Sequence, residues 1–192
     1  MAHLNKTLVV FLIGLVSILS ACTHSQLSYQ LDPELVNFPP KVTNMNMVAF
    51  TLVDKTSNEQ TKNPEKSISV VSKQQLPQLE QKFINKLKGL NYKIISNPLL
   101  ADLAIKIEIN QLDLRLEKGT FKSKFNAYSQ IKLTINKKSE SWSKIFRASK
   151  MQEVANPATD VDATGIINQL LSGQFEKSFS DPSLTKFLEK HQ

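Results

Sequence analysis

The sequence predicts an α+β fold: an antiparallel sheet of about five strands in the order ββαβββα, with two main helices packed on one face and a short helix at the C-terminus. Three observations carry this reading. Apolar residues alternate at period two through 103–116 and again through 125–135. A stretch from Leu76 to Leu90 instead repeats them at spacings of three and four, as an amphipathic helix requires. Polar breaks containing Gly, Pro or Asn separate these periods.

Residues 42–53 (VTNMNMVAFTLV) form the expected first strand, with Met45, Met47, Ala49 and Leu52 on its inner side. The two methionines read as core filler. Residues 54–66 lack apolar side chains and contain Pro64, which predicts an exposed hairpin loop leading to a short second strand over 67–72 (SISVVS). A helix follows. Leu76, Leu79, Phe83, Leu87 and Leu90 make its stripe, with Ile84 beside them, Pro77 at an early position and Gly89 where the helix should stop.

In the next strand, Leu103, Ile105, Ile107 and Ile109 alternate on odd numbers, whereas Leu112, Leu114 and Leu116 continue on even ones. Period two cannot change phase without an extra residue, so a β-bulge or bend is predicted near Asn110-Gln111. A tight turn at Lys118-Gly119 returns the chain into a strand over 120–136, with Phe125, Ala127, Ile131, Leu133 and Ile135 on one face. Residues 141–154 make the third strand of this meander, carrying Trp142, Phe146 and Ala148, and Asn156-Pro157 ends it. Trp142 is expected to be a core anchor. The second helix runs from Thr159 to about Phe179 on Ile166, Ile167, Leu170, Leu171 and Phe175, with Asp160 and Asp162 at the positive end of its dipole. Asp181-Pro182 caps the final helix, which bears Leu184, Phe187 and Leu188.

The N-terminus follows a different logic. Residues 1–21 hold Lys6, an apolar run (LVVFLIGLVSIL) and small residues, the layout of a signal peptide too short to span a bilayer. Leu19-Ser20-Ala21-Cys22 resembles the bacterial lipobox, with Leu19, Ser20 and Ala21 recognised by the peptidase and Cys22 lipidated. Cys22 is the only cysteine, so no disulfide can form within the chain. The thiol is expected to carry diacylglycerol and the new amine an acyl chain such as palmitate; no other cofactor is expected. Thr23, where aspartate would signal inner-membrane retention, favours the outer membrane with the domain facing the periplasm. Residues 22–40 read as the lipidated end and a flexible tether, and residues 41–192 as one periplasmic domain.

The chain carries 24 basic and 17 acidic residues, but only Arg115 and Arg147 are arginine. Phosphate and base recognition favours the bidentate guanidinium, so scattered lysines argue against a nucleic-acid partner.

The lipobox, Lys88-Gly89-Leu90-Asn91-Tyr92, the strand through 101–116, Phe146-Arg147-Ala148-Ser149 and the ending Asp181-Pro182-Ser183-Leu184 together resemble the YajG family of bacterial lipoproteins. The resemblance implies an envelope lipoprotein, makes the 54–66 loop a variable region and brings no catalytic residue to carry over.

The chemistry-bearing residues are sparse. His3 lies in the signal, His24 beside the acylated end and His191 next to the C-terminus, which excludes a buried triad and leaves no zinc-ligand spacing. No glycine loop cradles a phosphate. Asp102, Glu108, Asp113 and Glu117 share the polar face of one strand, but residues four apart are separated by about 13 Å, too far for a carboxylate pair. Tyr128 among Lys122, Lys124 and Lys132 is the candidate binding face, weighed against a plain hydrated surface. The expected protein is a non-enzymatic lipoprotein held to the membrane by its lipid and binding an envelope protein partner. The alternative is a binder of lipid, lipopolysaccharide or peptidoglycan fragments, using the sheet–helix groove or the basic face.

Overall fold

The computed structural model describes residues 27, 29–39, 47–56, 68–69, 75–137 and 140–190. The signal peptide, the lipobox with Cys22, most of the 54–66 loop and part of each of the first two expected strands lie outside these residues.

Three strands of sixteen residues dominate: β4 (Leu103–Lys118), β5 (Lys122–Lys137) and β6 (Glu140–Ala155), paired antiparallel in sequence order. Around them stand β1 (Met47–Asp54), β2 (Ile68–Ser69) and β3 (Lys93–Ile94), giving the order β3-β1-β4-β5-β6 with β2 on β4. The helices are α1 (Leu76–Gly89), α2 (Asp160–Phe179) and α3 (Pro182–Glu189). This is the expected α+β architecture with two main helices and a short terminal one.

The pairing of the first two strands differs from expectation. β1 does not form a hairpin with β2; it runs parallel to β4, from Val48 opposite Leu103 to Asp54 opposite Ile109, and parallel to β3. The sheet is therefore mixed. A parallel neighbour needs a long crossover, and the segment containing α1 supplies one. The turn-rich 54–66 loop marks a break in the chain without fixing the partner on its far side. β2 pairs antiparallel with β4 at Leu114 and Asp113, beyond the reach of β1.

The phase of β1 also differs. Val48, Phe50 and Leu52 share the core face with Leu103, Ile105 and Ile107, so Met47 and Ala49 point the other way, and Met45 lies outside the described residues. Both phases of this strand are apolar, so alternation alone could not choose between them. The register of β4 against β5 slips between Ile109 and Gln111, where the change of phase requires an extra residue. That single slip keeps Leu103, Ile105, Ile107, Ile109, Leu112 and Leu114 all buried against the helices.

α1 buries Leu79, Phe83 and Leu87. Leu90, expected on the stripe, is 51% exposed because it lies past the helix end. Asn91, at φ 66°, takes the left-handed position there, a conformation that a short polar side chain tolerates. α2 opens on a reciprocal cap: Thr159 Oγ1 accepts the Asp162 N–H, and Asp162 accepts the Thr159 N–H at 2.9 Å. Ile166, Ile167, Leu170, Leu171 and Phe175 are all buried.

Of the tether expected over 22–40, residues 22–26, 28 and 40 lie outside the described residues, and the described part is packed against the domain. Residues 29–38 form an extended strap lying across α1 and α2, with Leu31, Pro33 and Leu35 buried and Asp32, Glu34 and Val36 exposed. The N–H groups of Gln30, Asp32 and Glu34 donate to Thr164 Oγ1, Asn168 Oδ1 and Ser172 Oγ, at 3.2, 2.8 and 2.8 Å. The match is one of rise. Two extended residues advance about 6.6 Å and four helical residues about 6.0 Å, so alternate strap amides meet every fourth residue of α2. On the other side the Leu31 N–H donates to Gln75 Oε1 at 2.9 Å, and Lys82 pairs with Asp32. Asn37, at φ 58°, turns the chain so that Phe38 enters the core 4.8 Å from Phe83 and 4.7 Å from Phe179.

Candidate functional site

The helices cover one face of the sheet and leave the other free of them. β5 alternates across the two. Its odd-numbered residues are buried, while Lys122, Lys124, Tyr128 and Lys132 lie on the helix-free face, as the period predicts. From Lys122 to Lys132 the strand runs about 33 Å, so the four residues form a row and cannot close on one small ligand.

Register explains how that row is neutralised. Lys124 stands between Glu117 and Glu153, and Lys132 stands opposite Glu108. Lys122 pairs with Glu153 at 3.1 Å. Tyr128 lies opposite Asp113 on one side and Ser149 on the other.

Glu108 is the most enclosed charge on this face. Its carboxylate, 7% exposed, receives Lys106 at 3.0 Å, Lys55 at 3.1 Å and Lys132 at 3.7 Å. The Lys106 hydrogen bond lowers its pKa; burial works the other way, and Lys55 adds to the lowering. A general acid needs a raised pKa, so this carboxylate is held in the wrong form for that role. The other candidates have structural partners. Asp102 accepts the Met47 N–H at 2.9 Å and ties β4 to β1. Asp113 accepts from Gln111, and Glu117 accepts from Asn126 at 2.9 Å. Among the described residues, no group of three or more His, Cys, Asp or Glu is placed to hold a metal ion.

Trp142 is half-buried against the core, and its indole N–H donates to Ser183 Oγ at 3.1 Å. It therefore ties β6 to the start of α3. Beside it Lys144 meets Asp181 at 2.6 Å. Burial raises the pKa of Asp181, but Lys144 together with the Ser183 hydroxyl and N–H outweighs burial and holds it at about 2.

Two features were missed from the sequence. The first is the strap, whose signal was the alternation Leu31, Pro33, Leu35, masked because proline is not counted as an apolar strand residue. The second is the outer edge of β6. All sixteen residues of β6 pair with β5 in unbroken register, and among the described residues no strand pairs with its far side. Ile145 and Met151, on the helix-free face of this edge strand, are 45% and 63% exposed.

A family model described as "Uncharacterized lipoprotein" matches residues 56–189. The chain belongs to this family of lipoproteins. It is similar to three solved structures at the level of chain tracing. A protein of Xanthomonas campestris is 12% identical with a TM-score of 0.44, covering 86% of this chain and 97% of that one. A lipoprotein of Neisseria meningitidis is 6% identical with a TM-score of 0.34, covering 67% and 94%. The rare lipoprotein B of Shewanella oneidensis is 9% identical with a TM-score of 0.35, covering 74% and 96%. No curated protein matches. Among the described residues, no helix is long and apolar enough to cross a membrane. Lipoprotein membership fits attachment to a membrane of the cell envelope through a lipid.

Proposed function

We propose that this lipoprotein is a non-enzymatic component of the outer membrane, acylated at Cys22, that holds a periplasmic protein partner along β6. The YajG resemblance and the outer-membrane address belong to the same reading. The observation that carries it is the outer edge of β6, with which no strand among the described residues pairs. Sixteen residues of unbroken strand present a row of N–H and C=O groups, which is the surface that strand addition uses. Ile145 and Met151 add exposed apolar area beside that edge. Glu108 and Asp181 are both paired with lysines that favour the ionised form, which argues against either as a general acid.

The ligand-binding alternative has less room. Phe38, Phe50, Phe83, Phe175 and Phe179 pack against one another between sheet and helices in one aromatic cluster. On the basic face, Lys122 and Lys132 are already engaged by Glu153 and Glu108.

The test is photo-crosslinking in living cells from a reactive residue at Met151. A discrete protein adduct is expected, and the double substitution Ile145→Lys with Met151→Lys, crosslinked from Ser149, should abolish it. Failure of both positions to give a discrete adduct in acylated protein would overturn the reading.

A further inference from the structure

The strap fixes which end of the sheet meets the lipid. Leu27 lies in a cleft with Leu116, Lys118, Ser123, Asn156 and Pro157, at the β4–β5 hairpin and the junction between β6 and α2. From Cys22 to Leu27 there are five residue steps, so the acylated sulfur lies within about 18 Å of this cleft. The opposite end of β4, at Leu103, is about 50 Å along the strand and out of reach. The hairpin end is therefore the membrane-proximal one, on the reading that Cys22 carries the anchor.

At that end the hairpin projects an apolar side chain. Phe121, at its tip, is 86% exposed, and Val161 in the first turn of α2 is 79% exposed at the same end. The turn is braced from behind. The Asn156 side chain donates to the Gly119 carbonyl, and its backbone N–H donates to the Phe121 carbonyl at 3.3 Å. The Gly119 N–H closes the hairpin onto the Lys122 carbonyl at 3.0 Å. These bonds occupy the Gly119 and Phe121 carbonyls and the Gly119 N–H, so the turn is fixed with its aromatic ring held outward. Lys118 and Lys122 flank it. Lys122 shares its charge with Glu153, whereas Lys118 has no acid within ion-pair reach among the described residues.

We propose that the β4–β5 hairpin tip, Phe121 between Lys118 and Lys122, is a second membrane contact that dips into the lipid interface beside the acylated Cys22. An aromatic ring with lysines on either side suits the boundary of acyl chains and anionic headgroups. The contact needs little affinity of its own, because the anchor holds the tip at high local concentration. Its effect is to set the orientation of the domain, with the long axis of the sheet directed away from the bilayer.

The test uses the acylated full-length mature protein in vesicles of phosphatidylethanolamine and phosphatidylglycerol. Acylation consumes the thiol of Cys22, so Thr120→Cys provides one free thiol next to an intact Phe121. Leu99→Cys places the same fluorescent label at the far end of the sheet, at a position that is 90% exposed. The expected result is a blue-shifted label at 120, quenched by brominated lipid, with a label at 99 that behaves as in water. Phe121→Glu on the Thr120→Cys background should abolish the shift. Mass spectrometry of the acyl group separates the two ways of failing. An acylated, vesicle-bound protein whose label at 120 is as water-exposed as that at 99 overturns the tip contact alone. A protein without acyl chains overturns the anchor, and with it the nearness on which the tip contact rests.

Discussion

Asn168 holds the strap at Asp32, accepting its backbone N–H at 2.8 Å across 136 residues of sequence. The same side chain donates its Nδ2 to the Gln30 carbonyl at 2.9 Å, so one amide group satisfies both directions of the extended backbone. Asn168→Leu keeps the volume and removes both bonds. The expected cost is about 1–3 kcal/mol, with faster hydrogen exchange at the amides of 30–34. Unchanged protection there would show that the strap is held by its apolar contacts alone.

Phe38 tests those apolar contacts directly. It is 3% exposed and touches Phe50, Phe83 and Phe179. Phe38→Ala is expected to cost about 3–5 kcal/mol in denaturant unfolding, the magnitude of a core deletion, although the residue sits in the segment that composition marks as a linker. A cost under about 1 kcal/mol would mean that the strap is undocked in solution.

Asp181 makes stability depend on pH in the acid range. Its pKa is lowered to about 2 from an ordinary value of 3.8. The contribution of a depressed carboxylate is fully present above its unfolded pKa and is lost as pH falls through the folded one. Stability should therefore decline between about pH 4 and pH 2, in part through this group. Asp181→Asn retains a capping side chain but loses the Lys144 ion pair. It should flatten that part of the curve and cost up to about 1 kcal/mol at neutral pH.

Two glycines should respond in opposite directions. A Cβ at Gly119 would stand 2.4 Å from the Lys122 carbonyl oxygen, so Gly119→Ala must open the hairpin turn, at about 1–3 kcal/mol. Gly173 lies exposed within α2 with nothing within 4 Å of an added Cβ. Gly173→Ala should stabilise by about 0.5–1 kcal/mol through helix propensity. Thermal melts of the two variants check both signs.

Local periodicity carried most of the fold. The bulge near Asn110-Gln111, the span of α2 and the cap at Asp181 were legible because each depends on neighbours within a few residues. Pairing partners were not. β1 could be placed beside β4 only by knowing that α1 carries the chain back over the sheet, which is a long-range fact. The inner face of β1 was ambiguous because Met47 and Ala49 compete with Val48 and Phe50. Of the candidate face, Lys122, Lys124, Tyr128 and Lys132 do share one side of β5, a consequence of period two. That Lys55 would join Lys106 and Lys132 around Glu108 follows from the position of β1, and so could not be read locally.

The strap has a mechanical consequence. It runs in the same direction as α2, with Gln30, Asp32 and Glu34 bonded in turn to Thr164, Asn168 and Ser172. Tension applied from the N-terminal side of the strap pulls along this ladder, so the three bonds are loaded together in shear and do not open one after another. Phe38 lies at the far end of the loaded segment, wedged among the aromatic rings. A force on that end is thus borne by the centre of the domain and, with Cys22 acylated as proposed, a pull away from the membrane would be a pull against the core.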